Sequence, residues 1–128
     1  MNGLIARRST RGVAETVAAI RDQAQQHGAN VVAVVDHAAA AQSAGLSMPA
    51  TQVIIFGNPK AGTPIMQAAP EVAIDLPLRV LVRDDGQPGS VVLWQDPSYV
   101  GERFGLDGDQ LKPLATPQTL VDAALAQA

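Results

Sequence analysis

The chain has 128 residues, 47% hydrophobic and 16% charged, a balance that excludes a disordered polyelectrolyte and lets one domain, residues 1–128, close a core unaided. A net charge of −3 and only one Trp, one Tyr and two Phe exclude the basic, base-stacking surface of a typical nucleic-acid binder, so no nucleic-acid partner is expected. The absence of cysteine excludes disulfides and thiolate chemistry. No run approaches a signal peptide or the roughly 18 apolar residues of a membrane span, so a soluble, cytoplasmic protein without a membrane partner is expected.

Leu4–Arg8 reads as a short strand, followed by the punctuation Ser9-Thr10-Arg11-Gly12. Val13, Val17, Ile20 and Ala24 then recur in steps of four, three and four, which predicts a helix with Thr10 or Gly12 at its cap and His27-Gly28 at its close. The β-branched run from Asn30 to Val35 predicts a strand. Asp36 reads as the cap of an alanine-rich helix that starts at His37 and ends at Gly45. Thr51–Phe56 is the next strand. Thr63-Pro64 reads as a cap followed by proline at the first helical position, which predicts a short helix over Ile65–Ala69 stopped by Pro70. The same device recurs at Asp96-Pro97 and Thr116-Pro117. Glu71–Pro77 reads as irregular. Leu78–Val82 and Val91–Gln95, joined by a turn rich in Asp and Gly, predict an antiparallel hairpin. A helix over Ser98–Phe104 ends at Gly105, Asp107–Pro113 is loop-like, and Gln118–Gln127 is a final helix.

A hairpin beside strand–helix units implies an α+β fold, a mostly antiparallel five-stranded sheet with helices gathered on one face. An edge strand must be covered or paired, so a homodimer is the expected assembly.

Chemistry concentrates in the run Phe56-Gly57-Asn58-Pro59-Lys60-Ala61-Gly62-Thr63-Pro64. Gly57 and Gly62 have the spacing of a nucleotide-binding P-loop, but Thr63 and Pro64 stand where that loop requires Lys and Ser/Thr, which excludes a nucleoside triphosphatase. A looser anion site remains: backbone N–H groups at a helix start, with Lys60 close by. Alternatively the glycines serve a tight turn and Thr63 serves as a cap. Asp36-His37 is a second candidate, with His37 open to an acid–base or a surface role. Asp75, between Ile74 and Leu76, either caps a turn or sits in a cleft, and the turn is favoured. Arg79 and Arg83 share one strand face. No metal-ligand spacing and no hydrolase elbow occurs.

Val35-Asp36-His37-Ala38, the Phe56–Gln67 run, Ala73–Leu78 and Asp96-Pro97-Ser98-Tyr99 together resemble the prokaryotic family called domain of unknown function 302, from near residue 3 to about 106, with the tail matching only as a generic helix. The resemblance implies a fold like that of the TATA-box-binding protein, β-α-β(4)-α with a curved antiparallel sheet, and no activity. It marks Asp36, His37, Gly57, Asn58, Pro59, Lys60, Gly62, Thr63 and Asp75 as one candidate site. Three functions stay open: a module binding a small ligand or an anion; an enzyme using His37 or Asp75 as acid–base; and a structural or partner-binding dimer. No catalytic residue or cofactor is assigned.

Overall fold

Five antiparallel strands form the sheet on which the other elements rest. The computed structural model describes residues 2–126. The strands are β1 (Leu4–Ser9), β2 (Asn30–Asp36), β3 (Thr51–Gly57), β4 (Leu78–Arg83) and β5 (Ser90–Gln95), in the spatial order β1-β5-β4-β3-β2. The expected hairpin is present: Val82 pairs with Val92 and Arg83 with Val91. α1 (Val13–Gln26) carries the chain from one edge strand, β1, to the other, β2. From β2 the chain meanders through β3 and β4 to β5.

Alternation along each strand sends one set of side chains to the helical face. Ile54 and Phe56 of β3, Val80 and Val82 of β4, and Val92 and Trp94 of β5 are buried there. They meet Val13, Val17, Ile20 and Ala24 of α1, the face predicted from its spacing, and Leu120, Val121 and Ala124 of α5 (Thr116–Leu125). Burying each large aliphatic side chain contributes about 1.5–3 kcal/mol. Gln127, the expected end of the last helix, lies outside the described residues.

A second apolar cluster lies beyond the end of the sheet where β3 and β5 finish. It joins Ile65 of α3 (Pro59–Ala68), Val72, Val100 of α4 (Pro97–Phe104), Leu106 and Leu114, and Leu78 belongs to both clusters. Two stretches read as irregular are 3-10 helices, Pro70–Asp75 and Gly108–Ala115, and each contributes to this cluster.

Two of the three helix starts need correction. Asp96 caps α4 as expected, its carboxylate accepting from the Ser98 N–H at 2.9 Å. Thr63 caps nothing: α3 begins at Pro59, and the Asn58 side chain accepts from the Lys60 N–H at 3.0 Å. Asn58-Pro59 is the same cap–proline signal five residues earlier, and the helix runs on through Gly62 and Pro64 because Ile65 anchors it in the second cluster. Thr116 lies inside α5 and donates its hydroxyl to the Pro113 carbonyl at 2.8 Å. Asp36 does cap α2 (His37–Ser43), accepting from the Ala39 N–H at 2.9 Å. Of the two candidate caps of α1, Gly12 holds the position, without a side-chain bond.

Candidate functional site

Where β3 passes into α3, the fold leaves a cavity of about 330 Å3. Phe56 and Leu78 form its floor, Ala61, Gly62, Ile65 and Met66 of α3 one wall, and Leu76, Pro77 and Leu114 another. Asn30 and Val32 of β2 border it on the side of the sheet edge. Its polar groups are those of Asn30, Asn58, Thr63 and Thr116, and no charged side chain lines it.

Gly57 and Gly62 both line this cavity, and neither makes the tight turn that the sequence suggested. Seven described glycines have positive φ, and these two are not among them. A Cβ at Gly57 would meet Pro77 at 3.5 Å, and one at Gly62 would meet Leu76 and Met66 at 3.9 Å, ordinary contact distances. Glycine inside a helix costs about 0.5–1 kcal/mol relative to alanine. At Gly62 no backbone requirement offsets that cost, and what the missing side chain provides is open cavity.

The start of α3 is not an open anion cradle. Pro59 has no N–H, the Lys60 N–H is bound to the Asn58 side chain, and the N–H groups of Ala61 and Gly62 both donate to the Asn58 carbonyl, at 3.0 and 2.9 Å. One residue thus satisfies the donors that an anion would need. Lys60 is exposed and does not line the cavity.

The other candidates lie elsewhere. Asn30 pairs with Gly57 and Asp36 with Gln52, so Asp36 and His37 sit at the opposite end of β2, about 20 Å away at roughly 3.3 Å per residue. Both are exposed. Asp75 caps no turn: it is 9% exposed, with its carboxylate 3.2 Å from the Arg103 guanidinium and 3.9 Å from that of Arg79. Leu78 and Leu114, which border both the cavity and the small space beside Asp75, stand between the two. Within one copy of the chain, Gly57, Asn58, Gly62 and Thr63 are brought together, while Asp36, His37, Lys60 and Asp75 stand apart. Among the described residues no group of three or more His, Asp or Glu is arranged to hold a metal ion.

Sequence reasoning passed over the apolar lining, Ile65, Met66, Leu76, Leu78 and Leu114. These residues come from separate segments of the chain and share no local pattern in the sequence.

A family model described as "Domain of unknown function DUF302" matches residues 5–127, so the tail read as generic is part of the match. The crystal structure of an uncharacterized conserved protein DUF302 from Bacillus stearothermophilus superposes with a TM-score of 0.79 over 97% of this chain and 96% of that one, at 16% identity, a likeness of fold. Among curated proteins, the Fluoride-specific ion channel FluC 1 of Brucella suis biovar 1 (strain 1330) and FluC 2 of Brucella melitensis biotype 1 (strain ATCC 23456 / CCUG 17765 / NCTC 10094 / 16M) are each 40% identical over 105 residues, 82% of this chain. Those residues are 41% and 39% of the two Brucella proteins, so the chain spans about two fifths of the length of these relatives. Among the described residues no helix is long and apolar enough to cross a membrane.

Proposed function

The chain belongs to the family described as domain of unknown function DUF302, and from its own cavity we propose that it is a binding module, working as a homodimer in the cytoplasm, for a small, neutral, largely apolar molecule. The observation that carries this reading is the pair of glycines, Gly57 and Gly62, whose ordinary backbone would accept a side chain and whose bareness keeps the cavity open. A ligand charge placed there would be desolvated with no countercharge among the lining residues, at a cost of several kcal/mol. A neutral molecule with one polar end has the Asn58 amide and the Thr63 hydroxyl to orient it. The volume, about 330 Å3, lies at the lower end of the range of ligand pockets.

Native mass spectrometry of freshly purified protein tests the reading, together with thermal shift in the presence of small neutral aromatics or of phosphate. The expected result is a retained neutral organic mass and a melting temperature that rises with the logarithm of neutral ligand concentration. Phosphate should do no more than sodium chloride at matched ionic strength. A phosphate-specific stabilisation abolished by Lys60→Ala would overturn it in favour of an anion site.

The Brucella relatives favour a second reading. They are named fluoride-specific ion channels, and the stretch matching this chain is about two fifths of each. We infer that the matched stretch is a module carried alongside channel function, and that this chain serves such a channel as an accessory. Fluoride efflux from vesicles containing the Brucella suis protein, compared with and without its matched stretch, checks this; equal efflux rates, with and without neutral ligand, would remove the second reading.

A further inference from the structure

The cavity between β3 and α3 sorts its lining by depth. Phe56, Ile65 and Leu114 are buried, whereas Asn58 and Thr63 are exposed and mark the mouth. Val32 also lines the cavity and is 64% exposed. The bulge in β2 puts it there. Val31 pairs with Phe56 and Ala33 with Ile55, which leaves Val32 as the unpaired extra residue, and a bulge re-aims such a residue out of the regular alternation. A molecule entering this cavity meets apolar side chains at depth, an apolar lip at Val32 and polar groups only at the mouth.

The polar groups at the mouth also have a direction. The Asn58 side-chain oxygen accepts from the Lys60 N–H at 3.0 Å, which settles which end of that amide is oxygen. Its NH2 group has no partner among the described residues, so two donors are left over. The Thr63 hydroxyl can donate as well as accept. The Thr116 hydroxyl is already given to the Pro113 carbonyl, at 2.8 Å. Asn30 pairs with Gly57, one residue past Phe56, and alternation turns its side chain to the other face of the sheet. Donors therefore predominate where a ligand's polar end would rest.

On the cavity reading above, we propose that the ligand is a neutral carbonyl compound that enters apolar end first and leaves its oxygen at the mouth, on the Asn58 amide N–H. A carbonyl oxygen offers two lone pairs and brings no proton that would itself need an acceptor. A molecule whose only polar group is an N–H meets mainly other donors there. At about 30 Å3 for each water-sized group, 330 Å3 holds a body of about ten non-hydrogen atoms, the size of an aryl ketone or aldehyde or a short ester.

Competition against 1-aminoanthracene fluorescence tests this with three compounds of similar size: acetophenone, which only accepts; indole, which only donates; and ethylbenzene, which does neither. Each is measured on wild type, Asn58→Ser and Asn58→Asp, with melting temperatures as the check of folding. Ser and Asp both keep an oxygen for the Lys60 N–H, so α3 stays capped while the amide donors are removed. Asn58→Ser should weaken acetophenone roughly three- to tenfold, the worth of one partly solvated hydrogen bond, and leave ethylbenzene and indole within about twofold. Asn58→Asp should weaken acetophenone further and tighten indole, because a carboxylate accepts from its N–H. A loss shared equally by acetophenone and ethylbenzene, or acetophenone binding that neither variant changes, overturns the proposal while leaving the cavity reading in place. A wild type that binds neither 1-aminoanthracene nor any of the three compounds overturns both.

Discussion

At Gly89 the backbone takes φ +79°, and a Cβ there would stand 2.0 Å from the Ser9 carbonyl oxygen. That approach fastens the β4–β5 turn onto the end of β1, beside a buried polar knot in which Ser9 Oγ meets Thr16 Oγ1 at 2.8 Å and Ser90 Oγ donates to the Arg11 carbonyl at 2.9 Å. Gly89→Ala meets both a strained backbone, about 1–3 kcal/mol, and a clash that moves the knot. Its urea midpoint should fall well below that of wild type, whereas Gly62→Ala, with room and a helical backbone, should raise the midpoint by up to about 1 kcal/mol of stability. In the same turn, partial desolvation raises the Asp85 carboxyl, but the Gln87 N–H and the Arg8 guanidinium outweigh it and hold it below the usual carboxylate range. With the folded pKa depressed, the contribution of Asp85 is complete above its unfolded value near 3.9 and is lost as pH falls through the lower folded value. Wild type should therefore be more stable than Asp85→Asn at pH 7, with the difference vanishing at acid pH. A difference that stays constant down to pH 2 would contradict this.

Among the elements, the strands were legible because alternation and β-branched runs mark them locally: Val80 and Val82 are buried, and Arg79 and Arg83 are exposed, as the period-two reading requires. α1 was legible for the same kind of reason. α3 was not, because two cap–proline signals stand five residues apart and the first was read as loop. Proline and glycine usually end helices, yet Gly62 and Pro64 lie inside this one, held by the packing of Ile65 that only the tertiary structure supplies. The cap can be tested directly. Asn58→Ala should cost about 1 kcal/mol in chemical denaturation, since it removes the side-chain oxygen that accepts from the Lys60 N–H. Thr63→Ala should be neutral or slightly stabilising, as alanine is the better helix former. The reverse order would restore the cap to Thr63.

For the whole molecule, the α+β sheet and its helical layer could be read from the chain, and the candidate site only in part. The motif from Gly57 to Thr63 does border a cavity, but the cavity's character depends on Phe56, Leu78 and Leu114, which meet from three separate segments and leave no local pattern. The distance from Asp36 and His37 to that motif likewise follows from strand direction, which composition does not encode. The proposed function puts a neutral apolar molecule in the part of this cavity beside Gly62. The most direct measurement is a fluorescence titration of wild type and Gly62→Leu with 1-aminoanthracene, a neutral aromatic probe, with folding of the variant checked by its melting temperature. Wild type should bind one probe per chain saturably and insensitively to added phosphate, and a folded Gly62→Leu, where the new side chain points toward Leu76 and Met66 and occupies the space, should not. Equal binding to both proteins, or no saturable binding to wild type, would contradict it.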